Sequence, residues 1–415
     1  MRRQHLSPVP PARHLLVAGA VTVATAVGIG ALAVGGGSSD GSRAHPSASG
    51  SASTKSSDGL RHTSVEVSEG GCGRGWTDAT HGKQVFDLRN TSSRPAEVYL
   101  TNPANGAVYG EVEGLGPGTS RPLSVTLGGG SYAFVCLPED ADAVTGPTVT
   151  VSGPARGGGP AAVPVSQQDL IPPTIAYQKW VAGRMDELVR RTDALRSAIH
   201  CGDLATARAA WLPAHLVYER MGAAYGTFGD ADGAINGTTA GLSDGVHDPD
   251  FTGFHRLEYG LWHGESASSL RPVADRLVKD VRDLRDDWPQ ERMDPADLGL
   301  RAHEIMENTV QFELTGRTDY GSGTNLATAR ANLDGTRAVL RRLEPLLKPR
   351  APWLPELESD LDRAQRTLER SHHGDRWTPL DRLSRTGRQR LNADTGALVE
   401  RLARVAALMD VRRTR

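Results

Sequence analysis

Two textures of hydrophobic and polar positions succeed one another along the chain. From about Arg61 to Gly153 short apolar runs alternate with polar positions: QVFDLRN, AEVYLTN, PLSVTLG, SYAFVCL and TVTVSG, punctuated by Gly, Pro and Asn. Side chains alternate across a strand, so this rhythm predicts half-buried strands and, with turn residues between them, a small all-β sandwich over residues 61–153. After the Gly- and Pro-rich linker PARGGGPAAVPV (154–165) the period lengthens. LVRRTDALRSAI places apolar residues three and four apart, on one face of a helix. Segments of this kind predict helices at about Ala176–Ile199, Leu204–Tyr225, Ser268–Trp288, Pro295–Leu314, Asn325–Leu346 and Thr378–Met409. Asp or Thr precedes several of them as an N-cap. Many helices with short connections predict an antiparallel all-α bundle over 166–415. No tandem repeat of fixed short period is present.

The N-terminus belongs to neither texture. Arg2, Arg3, Arg13 and His14 precede the uncharged run LLVAGAVTVATAVGIGALAVGGG. A basic stretch followed by an apolar one is an export signal or anchor, here 1–36, with Ala31-Leu32-Ala33 as a cleavage mark. The run is also long enough to span a bilayer uncleaved. No cysteine follows it for lipid attachment. Ser, Gly and Ala then dominate 37–60, a flexible tether. The chain is therefore expected to work outside the cytoplasm, at the cell surface or in a periplasm, and to meet the membrane through its signal or anchor.

Charge and cysteine content narrow the classes. A length of 415 residues allows two or more domains, and the net charge of -2 argues against a nucleic-acid partner, which needs a basic face. The three cysteines, Cys72, Cys136 and Cys201, are too few for a disulfide scaffold, but an oxidising compartment allows one pair with one thiol left over. Cys201 stands in helical sequence and is expected to be buried as a small apolar residue.

Candidate chemistry concentrates in the helical part. In GFHRLEYGLW, His255 and Glu258 share a helix face inside an apolar, aromatic run. Polar groups there must be satisfied, by each other as a buried ion pair or by a metal ion. AAWLPAHLVYERMG places His215 and Glu219 four apart on one face, with Pro213 loosening the helix. FGDADGAING carries Asp230 and Asp232, either capping acids of a turn or the opening of a calcium loop, whose closing Glu is absent. Carboxylates with an imidazole suit Fe, Mn or Zn better than copper(I). His303, Glu304 and Glu307 point to salt bridges, and the adjacent His372 and His373 to an exposed loop.

Read in order, AAWLPAHLVYE, FGDAD and FTGFHRLEYGLW resemble the imelysin-like domain of the EfeO/EfeM iron-uptake family, over about Ser166 to the end. The resemblance implies a bundle of two helical halves with an iron site (Fe2+/Fe3+) between helices, its ligands Glu219, Asp232, His255 and Glu258. Asn236 stands where the family often has an acid. GCGRGWTD, YGEVEGLGPGTSRPL and SYAFVCLPED resemble that family's cupredoxin-like N-terminal domain, over about Arg61 to Gly153. This implies a carboxylate site at Glu111 and Glu113, and at Cys72 and Cys136 a copper-type or otherwise sulfur-rich site, copper or zinc being its metal. The residues themselves leave two alternatives open: a disulfide between the cysteines, and solvated edge-strand charge for the acids. A blue-copper centre needs two His and a Cys, usually with Met, and the domain offers only His62 and His81.

The family implies an iron-binding, non-enzymatic component of an EfeUOB-type system, delivering iron to a permease of the EfeU type beside a haem peroxidase of the EfeB type. A secreted imelysin-like metallopeptidase is the alternative. H-E-x-x-H is missing, since Glu307 stands where the second His of His303-Glu304 belongs, and the inverted form fails at Tyr259. A structural surface protein with a buried polar network is the third reading.

Overall fold

The alternating positions form strands, and the core-facing half of each strand explains why. The computed structural model describes residues 54–55, 58–155, 157–374 and 376–413; the export segment 1–36 and most of the tether lie outside them. The strands are β1 (Thr54–Lys55), β2 (Arg61–Ser68), β3 (Gly71–Arg74), β4 (Gly82–Asn90), β5 (Ala96–Thr101), β6 (Val108–Leu115), β7 (Ser120–Leu127), β8 (Gly130–Pro138), β9 (Val144–Thr145) and β10 (Val149–Val151). One sheet runs β1-β2-β4-β7 with β3 on β2; the other runs β10-β8-β5-β6 with β9 on β8. β2 and β4 pair in parallel, whereas β4–β7, β5–β6 and β5–β8 are antiparallel. Val65, Phe86, Leu88 and Val125 of the first sheet share one core with Val98, Leu100, Val112 and Phe134 of the second. Trp76, Phe86 and Phe134 meet edge to face, with centroids 4.8–5.5 Å apart, the arrangement ring quadrupoles favour. β1 begins the pairing inside the stretch read as tether.

Cys72 of β3 and Cys136 of β8 are joined by a disulfide that bridges the two sheets across 64 residues of chain. The alternative of a sulfur-rich metal site therefore gives way: a metal is held by thiolate, and both sulfurs are spent in a covalent bond.

The helices are α1 (Gln167–His200), α2 (Leu204–Glu219), α3 (Tyr225–Phe228), α4 (Asp230–Asn236), α5 (Gly253–Trp262), α6 (Ala267–Asp287), α7 (Leu298–Asn308), α8 (Asn325–Leu347), α9 (Leu354–Glu369) and α10 (Arg385–Met409). A small hairpin, β11 (His372–His373) with β12 (Arg376–Trp377), precedes α10 and exposes both histidines. Two segments depart from the sequence expectation. α1 starts earlier, because Ser166 and Asp169 form a reciprocal capping box that outweighs Pro172 and Pro173. α9 is an added helix, whose Leu357, Leu361, Ala364 and Leu368 are buried beneath a highly charged outer face. Cys201 also departs: it caps α1 and is exposed.

α1, α2, α5 and α6 pack as one half of the helical part, and α7, α8, α9 and α10 as the other; α8 also packs on α1 and α2. One apolar core runs through both halves. The chain's last described residues return to the β part. Val411 bridges Val165, and the Arg412 guanidinium grips Glu111 with Nε and Nη2 at 2.6 and 3.0 Å. Arg413 donates to the carbonyl of Pro138 at 3.0 Å. Among the described residues no helix is long and apolar enough to cross a membrane.

Candidate metal centre

Three short elements bring the predicted residues together. α2 ends on His215 and Glu219, α4 carries Asp232 and ends on Asn236, and α5 opens with His255 and Glu258. Gly253 makes the approach possible. Its φ is +77°, and a Cβ there would stand 2.1 Å from the carbonyl oxygen of Ile235, so only glycine lets α5 start against the end of α4. Thr252 Oγ1 donates to Ala234 O at 2.9 Å, and the Trp211 indole donates to Phe254 O at 2.9 Å. These bonds fix α5 against α4 and α2.

The buried acids and histidines pair as the sequence allowed. His255 Nδ1 lies 3.1 Å from Glu258 Oε2. The other Glu258 oxygen accepts from the backbone N–H of Tyr320 (3.2 Å), from that of Ser322 (3.1 Å) and from Ser322 Oγ (2.5 Å). His215 Nε2 lies 3.0 Å from both Glu219 Oε1 and Asn236 Oδ1, and Asn236 Nδ2 donates to Glu219 Oε1 at 2.8 Å. The departure at Asn236 thus has a structural use: a neutral amide ties α4 to the His215–Glu219 pair without adding charge. His215 Nδ1 is buried and makes no hydrogen bond. Asn332 of α8, with its amide nitrogen toward Glu219, donates to Oε2 and to the main-chain oxygen, both at 3.0 Å.

Asp232 is bound by Tyr218, whose hydroxyl donates at 2.5 Å. Burial pushes its carboxyl up to about 6, against the lowering effect of that bond. For Glu219 and Glu258 burial acts the same way but loses: the imidazole beside each holds the carboxyl below its ordinary value. Burial likewise opposes charge on His215, and the Glu219 carboxylate overrides it, so the imidazole is raised.

One acid was not singled out in the sequence. Glu313 closes a wide π turn, Thr309–Glu313, in which the Leu314 N–H reaches back to Thr309 O at 2.9 Å. Such turns are frequent at functional sites. Glu313 is buried, accepts from Thr318 Oγ1 (2.6 Å) and Asn325 Nδ2 (2.9 Å), and is pushed up by burial and then by the Glu219 charge. The available signal was an acid inside an apolar run, VQFEL, the same cue that marks GFHRLEYGLW.

A cavity of about 360 Å³ opens between the two helical halves, lined by Glu219, Asn236, His255, Glu313 and Asn332 with Arg301 and Glu304. Glu258 and Asp232 are not among its lining residues; Glu258 is bonded to His255 of the wall. Among the described residues no three His, Cys, Asp or Glu side chains stand close enough together to grip an ion directly. The carboxylate and amide oxygens and the imidazole of that wall are donor types that suit a hard or borderline cation.

The remaining candidates lie elsewhere. His303 is 3.6 Å from Glu307, and Arg301 pairs with Glu304 (2.6 Å) and Asp297 (3.1 Å). These are salt bridges within one helix and its first turn. In the β part Glu111 is held by Arg412, and Glu113 is exposed. Tyr99, opposite Glu111 across the strands, donates to Glu97 at 2.6 Å.

The family model for imelysin (peptidase M75) matches residues 174–407. The chain is similar to the iron uptake system component EfeO of Escherichia coli O157:H7, 27% identical over 333 residues, which cover 79% of this chain and 86% of that one. It is similar in the same way to EfeO of Yersinia pestis, 26% identical over 329 residues, with the same two coverages. A solved iron-regulated protein A precursor from Parabacteroides distasonis overlaps 59% of this chain and 95% of its own, at a TM-score of 0.41 and 14% identity.

Proposed function

The chain belongs to the imelysin family, and from that premise we propose that it is an exported iron-binding component of an uptake system. It captures iron outside the cytoplasm and hands it to a membrane permease of the EfeU type, with a haem peroxidase of the EfeB type as a further component. Iron is cargo in this reading, and the chain is a carrier without catalytic turnover.

The observation that carries the reading is the cavity between the helical halves, walled by Glu219 and His255, with Glu258 buried beside His255. Glu219 and Glu258 each have an imidazole partner, whereas Asp232 and Glu313 have no ion pair among the described residues. Buried negative charge in excess of positive charge is costly without a cation. The relatives named as iron uptake components supply the identity of that cation; the donor types alone admit manganese and zinc as well. For the β part we propose the cupredoxin-like sandwich. The disulfide speaks against copper or zinc at Cys72 and Cys136, and leaves Glu111 and Glu113 as its candidate acids.

The peptidase alternative has weaker support. Neither H-E-x-x-H nor its inverted form is present: Glu307 stands where the second His would follow His303-Glu304, and Tyr259 follows Glu258.

Iron titrated into the metal-free chain by calorimetry, beside His255→Ala, tests the proposal. The expected outcome is one equivalent lost from the helical part in the variant. Equal stoichiometry and heat in the two proteins would return His255 and Glu258 to a plain buried ion pair.

A further inference from the structure

We propose that the cleft at the seam of the β and helical parts binds a small organic acid, a carboxylate carried on an apolar body. This goes beyond iron carriage and uses none of the residues of the helical metal centre.

Three observations carry it. First, a cavity of about 500 Å³ lies where β6, the 160–162 stretch of the linker, the corner between α8 and α9 and the last turns of α10 meet. That volume suits a small molecule, and junctions between structural units are where such sites commonly form. Second, its wall combines apolar surface with unspent positive charge. Val108, Ala162, Trp353 and Leu408 supply the apolar part, while Arg350, Arg404 and Arg412 stand against one acid, Glu111. Arg412 neutralises Glu111 at 2.6 Å. Arg350 and Arg404 form no ion pair among the described residues, so two positive charges are left over. Third, both guanidiniums are held in place. Arg350 donates to the main-chain oxygens of Val163 and Leu346, each at 3.1 Å. Arg404 lies over the Trp353 ring, 4.3 Å from its centroid. A guanidinium resting on a ring face keeps its N–H edge turned outward, in the fork geometry that matches a carboxylate. Much of the cost of ordering these long side chains is met before a ligand arrives. The charge selects an anion, and the apolar wall selects one with a hydrocarbon or aromatic body.

The test is calorimetric titration of the metal-free full chain with three probes: benzoate, its neutral isostere benzamide, and inorganic phosphate. We expect one equivalent of benzoate to bind. Benzamide should bind at least roughly 10-fold more weakly, for want of the charge-assisted bond. Phosphate should be weaker by a similar factor, roughly 10-fold, for want of an apolar body. Arg404 is exposed, so Arg404→Gln should keep the parent's melting temperature and iron stoichiometry while losing roughly 10-fold or more in benzoate affinity. Equal binding of benzoate and benzamide would make the cleft an apolar crevice indifferent to charge, and overturn the inference. Phosphate as tight as benzoate would reduce it to a bare basic patch, with the same consequence. Undiminished benzoate binding in Arg404→Gln would place the acid elsewhere on the chain, and a parent that binds no benzoate ends the inference outright. The comparison of benzoate with benzamide needs no variant, and it decides the matter should Arg404→Gln fail to fold.

Discussion

Asp232 shows how much one partly buried side chain reports about its surroundings. Its carboxyl is raised to about 6 by burial, although Tyr218 donates to it. A raised carboxyl keeps its proton longer in the folded chain than in the unfolded one. Its contribution to stability is therefore fully present below the ordinary carboxylate value near 4 and is lost as the pH rises to about 6. Iron-free protein should lose stability over that interval. Asp232→Asn should flatten the loss, which chemical denaturation at closely spaced pH values measures. Glu219 and Glu258 are lowered and act in the opposite sense below the ordinary value, so the difference between parent and variant is the quantity to read. His255, Glu258 and Glu219 were legible as candidates because each interrupts an apolar or aromatic run, and Asp232 because of its acidic string and the family resemblance. Glu313 was not, because its inward position depends on a π turn that a 3.6-residue period does not describe.

At the scale of elements, the site depends on how closely α5 can begin against α4. Gly253 permits that contact, with its left-handed φ and no room for a Cβ. Gly253→Ala should cost about 1–3 kcal/mol, and it should weaken iron binding as well, because His255 and Glu258 ride on α5. Denaturant unfolding paired with calorimetry checks both. Strands and helices with clear period-two or period-3.6 patterns could be read from the sequence. α9 could not be separated from its charged surroundings, and the start of α1 was hidden by two prolines that a capping box tolerates. The exposure of Cys201 follows from its place at a helix end, where the chain turns outward, and not from its residue type. The disulfide was an open alternative, since spacing cannot show that β3 and β8 lie side by side. By closing a loop of 64 residues it contributes on the order of 4 kcal/mol of chain-entropy stabilisation.

At the scale of the whole molecule, the β and helical parts are joined by the end of the chain. Arg412 reaches Glu111, 301 positions away in sequence, and no local pattern announces a contact of that range. The bond is bidentate and only partly exposed, so Arg412→Ala should cost about 1 kcal/mol and loosen the seam without unfolding either part. Hydrogen exchange should then quicken in β6, β8 and the 411–413 strap, and added salt should move the parent in the same direction. Unchanged exchange would mean that the Val165–Val411 and Val108–Ala162 bridges and the Arg413–Pro138 hydrogen bond hold the parts together without it. The seam also bears on where α1 leads. That helix leaves Val165 and runs 34 residues, a rod of roughly 50 Å, to the exposed thiol of Cys201. With the other two cysteines bonded to each other, the chain carries a single attachment point for a fluorophore, at the far end of a rod whose near end touches the seam. A dye there, paired with one placed on the β part, makes the protein its own ruler, able to time any parting of the β and helical parts as cargo comes and goes.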